Sequence, residues 1–327
     1  MAVYDTRGGG NVHIDVALSN ISMGYPNLDF VGDVLFPTVR VRKQSDKYYT
    51  FGREGWVVEP GSDVRAPGTE ANEIPGITVS LNPYFAVEHA LQIPVTDEER
   101  ENADSPMSPD RDGTELVTSK LLLARELAIK TKVTTVANYP VANSTTLVGT
   151  AQWSDYTGTS KPILNAHTAR DAIHAQLFVR PNVTVIPYQV MSKLEDHPDF
   201  IERIKYSMVG VVTEELIARI MGLSRVIVPG VGYNSARMGQ TESIGYLWGK
   251  DVVFAYVPPR PGLKTPAFGY EFVWVYPGGQ VQVAERWREQ KRKSDVIRVS
   301  RRYDLRFIAV DNTGDSLAGY LIKNAIA

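Results

Sequence analysis

The sequence predicts an α+β protein in which a mixed α/β segment interrupts a body made of one long helix and a strand-rich sheet. Three observations carry this. Residues 108–138 hold a wide apolar stripe at helical spacing, with Leu116, Leu123 and Leu127 in one series and Val117, Leu121 and Ala128 in another. The composition changes near Val179, where short strands and short capped helices begin to alternate. The last sixty residues alternate around aromatic and β-branched side chains, as half-buried strands do.

Taken in order, residues 1–38 show little regular periodicity. Gly8, Gly9 and Gly10 precede a mild alternation at Val12, Ile14, Val16 and Leu18, and Tyr25-Pro26 and Phe36-Pro37 punctuate the rest. This is an extended arm, either an unstructured tail or a strap across another subunit, and the scattered Ile21, Phe30, Val34, Leu35 and Phe36 favour the strap. Residues 39–51 and 84–95 alternate as two strands, the second placing Phe85, Val87, Leu91 and Ile93 on one face. Between them, 52–76 is rich in Gly, Pro and charge, longer than an ordinary connection in a compact domain. A two-stranded ribbon is marginal by itself, so this segment is either a surface loop or a hairpin lying on a neighbour.

Ser108, Pro109, Asp110 and Asp112 form a helix start, with a capping hydroxyl, proline at the first helical position and acids beside the positive end of the dipole. Asn138, Tyr139 and Pro140 end that helix, which is long for a compact domain and needs a partner surface along its length. Residues 168–178 predict a shorter amphipathic helix. Beyond Val179 come a strand at 183–186, helices near 190–194, from Pro198 and from the Thr213 cap to Gly222, and strands at 225–228 and 252–257. Strands at 268–276, 281–287, 295–301, 303–310 and 320–322 complete the chain.

Composition excludes several function classes. The chain has 327 residues, no cysteine and a formal net charge of −2. Disulfide, thiolate and thiol-nucleophile chemistry are therefore absent, and no excess of positive charge points to nucleic acid. No secretory leader is expected at residues 1–20, and no apolar run approaches the roughly 20 residues needed to span a bilayer. With 43% apolar and 22% charged residues, a folded protein is expected. Arg225 to Val228 followed by Gly230, Gly232 and Ser235 imitates a dinucleotide loop, but the third glycine and the following amphipathic helix are missing. Gly249-Lys250-Asp251 lacks the remaining residues of a phosphate loop. His167 and His174 sit two turns apart without a third ligand nearby, so no metal site, catalytic group or cofactor is expected.

Two opposed charge clusters remain. Asp97, Glu98, Glu99, Glu101, Asp104, Asp110 and Asp112 precede or open the long helix, whereas Arg286, Arg288, Lys291, Arg292, Lys293, Arg298, Arg301 and Arg302 crowd the strand-rich end. They could meet within one subunit or between subunits. The expectation is that Arg286, Arg288 or Arg292 contacts an acidic group, Asp97, Glu98 or Glu99, of a neighbouring copy.

The order of parts resembles the major capsid proteins of tailed double-stranded-DNA bacteriophages, which have the Hong Kong 97 coat fold. Local phrases fit as well: Asn182-Val-Thr-Val-Ile-Pro187, His197-Pro-Asp-Phe-Ile-Glu-Arg-Ile-Lys-Tyr206, Ile244-Gly-Tyr-Leu-Trp-Gly-Lys-Asp251 and Gly319-Tyr-Leu-Ile-Lys-Asn324. The resemblance implies an N-terminal arm at 1–38 and an extended β-hairpin loop at 39–95. It also implies a peripheral domain at 96–178 and 266–327 around a spine helix at 108–138, and an inserted axial domain at 179–265. It implies a structural protein and no enzyme, assembling with itself into hexamers and pentamers of an icosahedral head in the host bacterial cytoplasm. Implied partners are a separate scaffolding protein, a portal protein, a decoration protein and packaged double-stranded DNA held non-specifically, with no membrane. Arg53, Trp56 and Arg65 of the loop join Asp97, Glu98, Glu99, Arg286, Arg288 and Arg292 as expected inter-subunit contacts. Lys43, Lys47 and Asn324 have the residue types of the Lys–Asn crosslink some relatives form, but no motif fixes them and none is expected. The alternatives are a cellular nanocompartment shell of the same fold, which encloses enzymes, and an α/β enzyme, which would need His174, Asp171 and a further carboxylate converging in a buried cleft.

Overall fold

The computed structural model describes residues 30–50, 63–65, 67–71, 80–205, 212–236, 239–262, 265–311 and 313–327. The expectations for residues 1–29, including the alternation at 12–18, and for Arg53 and Trp56 lie outside them.

The long helix is α3, Pro109–Val133, preceded in the chain by two short helices, α1 (Gly32–Leu35) and α2 (Asp97–Glu101). It is about 38 Å long at roughly 1.5 Å per residue. Its buried face is Gly113, Val117, Leu121, Arg125, Glu126, Ile129 and Val133. Leu116 and Leu127, expected in the apolar stripe, are 49% and 41% exposed. The helix ends five residues before the expected Asn138. Thr131, Thr134 and Thr135 each donate their hydroxyl to the carbonyl four residues back, and Thr135 turns to extended backbone. Such back-bonding by β-branched residues weakens a helix end, and a single 3₁₀ turn carries the chain to Asn138.

Two five-stranded sheets build the body. The first contains β1 (Thr38–Val41), β4 (Val87–Thr96), β11 (Gly269–Trp274), β12 (Gln282–Glu289) and β13 (Ser294–Phe307). β13, fourteen residues long, organises it: its first part pairs with β12 on one side and β4 on the other, and its end pairs with β11. The two strands expected at 295–301 and 303–310 are thus one. Register places Ile93 and Val95 beside Ile297 and Asp295 on the face that meets α3, where Val117, Leu121, Val299 and Ile93 pack together. Gly113 lets the two elements pack closely there: a Cβ would stand 3.3 Å from Ile93, tight enough that the isoleucine would have to shift slightly.

The expected strands 39–51 and 84–95 are each broken. β1 lies parallel on β11, whereas β2 (Ser45–Thr50) pairs only with β3 (Ser80–Phe85) in a separate ribbon. The breaks fall together, at Arg42–Gln44 and at the buried Ala86, whose N–H donates to the Gln44 carbonyl. The ribbon is seated through Tyr48 and Tyr84, whose rings lie 5.1 and 4.9 Å from that of Phe272. Val87 and Leu91 of β4, an edge strand with no second partner among the described residues, are 48% and 42% exposed, and Phe85 at the end of β3 is 52% exposed.

The second sheet runs β5 (Ser144–Thr146), β14 (Gly319–Lys323), β10 (Val252–Ala255), β6 (Val183–Val185) and β7 (Arg225–Ile227). Helices α4 (Pro162–Leu177), α5 (Tyr188–Glu195), α6 (Pro198–Ile204) and α7 (Glu214–Met221) share its second apolar core. α4 begins six residues earlier than the alternation at 168 implied, with Pro162 in its first turn. α7 follows the sequence signals, Thr213 accepting from Leu216 N–H and Gly222 turning left-handed at φ 69°. Asn182 acts as a false strand residue, its side chain accepting from Val257 N–H and donating to the Val257 carbonyl. After β7 comes a small hairpin, β8 (Gly232–Asn234) with β9 (Ile244–Tyr246), where a dinucleotide fold would need a helix. The largest core joins the two sheets: Val183, Val185, Val253 and Ala255 of the second meet Val273, Tyr303, Leu305 and Phe307 of the first, with Val31, Leu35 and Phe36 of the incoming chain.

Candidate assembly interface

Three features gather around the spine helix: a charged cluster at its start, a buried ionic network midway along it, and the ribbon with its neighbouring open edge. The first brings the two charge clusters together inside one chain. Arg288 donates to both carboxylate oxygens of Asp97, at 2.6 and 2.5 Å, and approaches Asp295 at 3.4 Å. Arg100 reaches Asp110 at 2.7 Å and Asp295 at 3.0 Å, and Arg286 pairs with Asp295 and, at 3.5 Å, with Asp110. The arginines beside them hold Asp97 and Asp295 below the usual carboxylate range, Arg288 dominating for the first and Arg286 for the second. α2 supplies part of this cluster through a capping box, in which Thr96 accepts from Glu99 N–H and Glu99 accepts from Thr96 N–H.

Within the chain, β12 and β13 carry Arg286 and Arg288 within reach of α2 and α3. Glu99 is engaged by its own cap. Arg292 is 69% exposed at its side chain with only Glu289 near, at 3.6 Å, and Glu98 and Arg65 are exposed.

Deeper along α3, Arg125 lies flat against Glu271, donating twice at 2.9 Å. Glu271 is fully buried and also accepts from Arg301 at 2.6 Å and Thr38 at 3.0 Å. Arg125 reaches Asp33 at 2.8 Å as well. The adjoining Glu126 is 1% exposed, and burial pushes its carboxyl above the usual range. The sequence showed Arg125 and Glu126 only as charged residues within an apolar stripe; their signal was that each falls on the helix's inward side.

His167 and His174 both lie on α4; Asp171 and His174 are exposed, far from the converging cleft an enzyme would need. Among the described residues no group of three or more His, Asp or Glu is placed to hold a metal ion, and no helix is long and apolar enough to cross a membrane. An apolar pocket of about 160 Å³ lies at the base of the ribbon, lined by residues including Val39, Tyr48, Tyr270 and Phe272.

No family model matches the chain. It is 28% identical over 265 residues to the major capsid protein of Burkholderia phage BcepMu, covering 79% of this chain and 82% of that protein. It is 28% identical over 245 residues to the major capsid protein of Pseudomonas phage JBD67, covering 74% and 77%. Among solved structures, a phage-related protein from Bordetella bronchiseptica superposes with a TM-score of 0.69 at 26% identity over 95% of this chain and 97% of that one. A chain from Mycobacterium phage Adephagia gives 0.59 at 9% identity, covering 95% and 98%. The SrpI encapsulin of Synechococcus elongatus gives 0.51 at 9% identity over 95% of each, a likeness of fold alone. In sequence the chain is similar to phage major capsid proteins, and along nearly its whole length it shares the fold of phage structures, the Hong Kong 97 type.

Proposed function

We propose that this protein is the shell subunit of a phage head, closing as hexamers and pentamers into an icosahedral particle around double-stranded DNA. The observation that carries the reading is the pair of curated relatives, both major capsid proteins aligned over about three-quarters of the chain or more. The ribbon β2–β3 supports it, since a two-stranded sheet of this kind needs a further surface. In this reading 1–38 is the arm, 39–95 the extended loop, 96–178 with 266–327 the peripheral domain, and 179–265 the axial domain. Contacts between copies are assigned to Arg53, Trp56 and Arg65 of the loop and to Asp97, Glu98, Glu99, Arg286, Arg288 and Arg292, of which Asp97, Arg286 and Arg288 also pair within the chain. A separate scaffolding protein, a portal, a decoration protein and non-specifically held DNA complete the partners, assembly takes place in the host bacterial cytoplasm, and the role is structural with no catalytic step.

Electron microscopy of the protein co-expressed with a scaffold tests this: closed shells containing nuclease-protected DNA after packaging are expected. Strictly monomeric protein under those conditions would overturn it, and shells filled with a cellular enzyme would favour the nanocompartment whose fold the encapsulin shares. Deleting residues 53–73 should abolish stable shells while leaving the thermal unfolding of the subunit in place.

A further inference from the structure

The two sheets and the incoming arm meet at one side chain. Glu126 Oε1 accepts from the Val31 N–H and from the Trp248 indole N–H, both at 3.0 Å, and Oε2 accepts from the Gly32 N–H at 3.0 Å. The three donors come from parts of the chain with no other reason to share a partner. Val31 and Gly32 lead through α1 into β1 of the first sheet, whereas Trp248 stands between β9 and β10 and leads into the second. Glu126 itself rides on α3. Trp248 is 1% exposed and Glu126 is 1% exposed, so water does not compete for these bonds.

The surroundings admit little else. A Cβ on Gly32 would stand 2.5 Å from Ile129 Cδ1 and 2.8 Å from Glu126 Oε2, so only glycine lets the backbone N–H come this close. The next residue on the helix, Arg125, holds Asp33 and Glu271, which in turn holds Thr38, so the whole 31–38 stretch is clasped from the spine. A carboxylate suits the node because all three groups facing it are donors. A glutamine of the same shape would turn an N–H₂ towards a donor and leave a buried polar group unpaired.

We propose that Glu126 is a positioning residue for assembly, fixing together the direction in which the arm leaves the spine and the angle between the two sheets. Subunits that share one such angle close with one curvature; subunits in which the angle drifts close with several or not at all. This rests on the shell-forming role proposed above, and the test separates the two.

The subunit is read first, before assembly. Hydrogen exchange at the Val31 and Gly32 amides, and at the Trp248 indole N–H, should be slow in the parent protein and fast in Glu126→Gln. Trp248→Phe, which keeps an aromatic ring but removes the donor, should loosen the β8–β10 region. In the double variant the change in unfolding midpoint should be much less than the sum of the two single changes, because the shared bond is lost once. Shells are read second: Glu126→Gln and Trp248→Phe should give a broadened diameter distribution or open assemblies, where the parent gives one diameter. Additive effects together with uniform shells from Trp248→Phe would overturn the proposal, leaving Trp248 a packing residue. If Glu126→Gln does not fold, Trp248→Phe alone decides: faster exchange at the Val31 and Gly32 amides with a broadened diameter distribution supports the proposal, and unchanged exchange with uniform shells overturns it. A parent protein that never closes into shells would count against the proposed function, while the exchange and cycle data would still report on the node.

Discussion

α3 carries two ionic clusters, and they differ in nearly everything but charge. At its first turn, Asp97, Arg100, Asp110, Arg286, Arg288 and Asp295 form a web whose side chains are 13% to 52% exposed. Midway along, Arg125, Glu271 and Arg301 are exposed by 4%, 0% and 11%. The wet cluster exchanges water for protein at little net gain, and salt screens it. The dry one gives up far more hydration, so each member depends on every other. The wet web orients surfaces; the dry one decides whether the arm root, spine and first sheet are joined at all.

The sharpest break between the two is made at Glu271. Glu271→Gln should leave Arg301 without a counter-charge and Arg125 with only the exposed Asp33, and cost about 3–5 kcal/mol, the usual consequence of orphaning a buried charge. Chemical denaturation of the unassembled subunit checks this. The comparison is sharpened by removing the whole network: Arg125→Met, Glu271→Leu and Arg301→Met together should restore most of that stability. A triple variant as unstable as the single one would mean that the network's shape, and not its charge balance, holds the site.

Next in size is the cap that mounts the wet web. Thr96→Ala removes one half of the capping box and should cost about 1 kcal/mol, with α2 fraying and Asp97 moving from Arg288. By contrast, Arg292→Glu should leave the subunit's unfolding unchanged and impair shell formation, and raised salt should mimic it. Shell yield indifferent to both would return Arg292 to solvent.

The two clusters were also unequally legible in the sequence. The wet one was visible as a run of acids and a run of bases, and only its destination was open. β13 decides that: its length carries β12 back beside α2, so Arg288 meets Asp97 of its own chain. The dry one left only a partial trace: Arg301 stood in the basic run, but Arg125 and Glu271 are far apart in sequence and each looked like an ordinary polar residue on a helix or strand. The long helix, the strand-rich end and the α7 caps were readable because spacing and capping are local. The breaks at Arg42–Gln44 and Ala86 were not, since what divides those strands is which sheet each half joins. The exposure of Leu91 likewise depends on where the sheet's edge falls, and that of Leu116 on which side of the helix the sheet covers.

The smallest effect, and the one that reads both clusters in a single titration, is that of acid. Asp97 and Asp295 are held below the usual range by Arg288 and Arg286, so the wet web's contribution is present above about pH 3.9 and is lost as pH falls through the depressed values. Glu126 behaves oppositely. Burial raises it, so the folded chain takes up that proton before the unfolded one, and the stability this adds in acid is lost as pH rises through the raised value. A third group sets the onset. His197 is buried and lowered by desolvation, Asp199 opposing and Lys161 assisting; its Nδ1 accepts from Asp199 N–H while Nε2 faces the Ser160 hydroxyl, with the Tyr156 and Phe200 rings edge-on. The unfolded chain protonates this histidine first, so stability should begin to fall as pH drops below about 6.5. Unfolding midpoints measured from pH 7.5 to 3.5 should therefore decline in two stages, and His197→Asn, which keeps a capping acceptor without a titrating group, should shrink the first stage alone, leaving the part contributed by His89, which burial also lowers. Glu126→Gln should steepen the second, because the opposing contribution is gone. A single decline below pH 4 in all three proteins would show that His197 is as easily protonated folded as unfolded, and that the dry carboxylate adds nothing to the acid response.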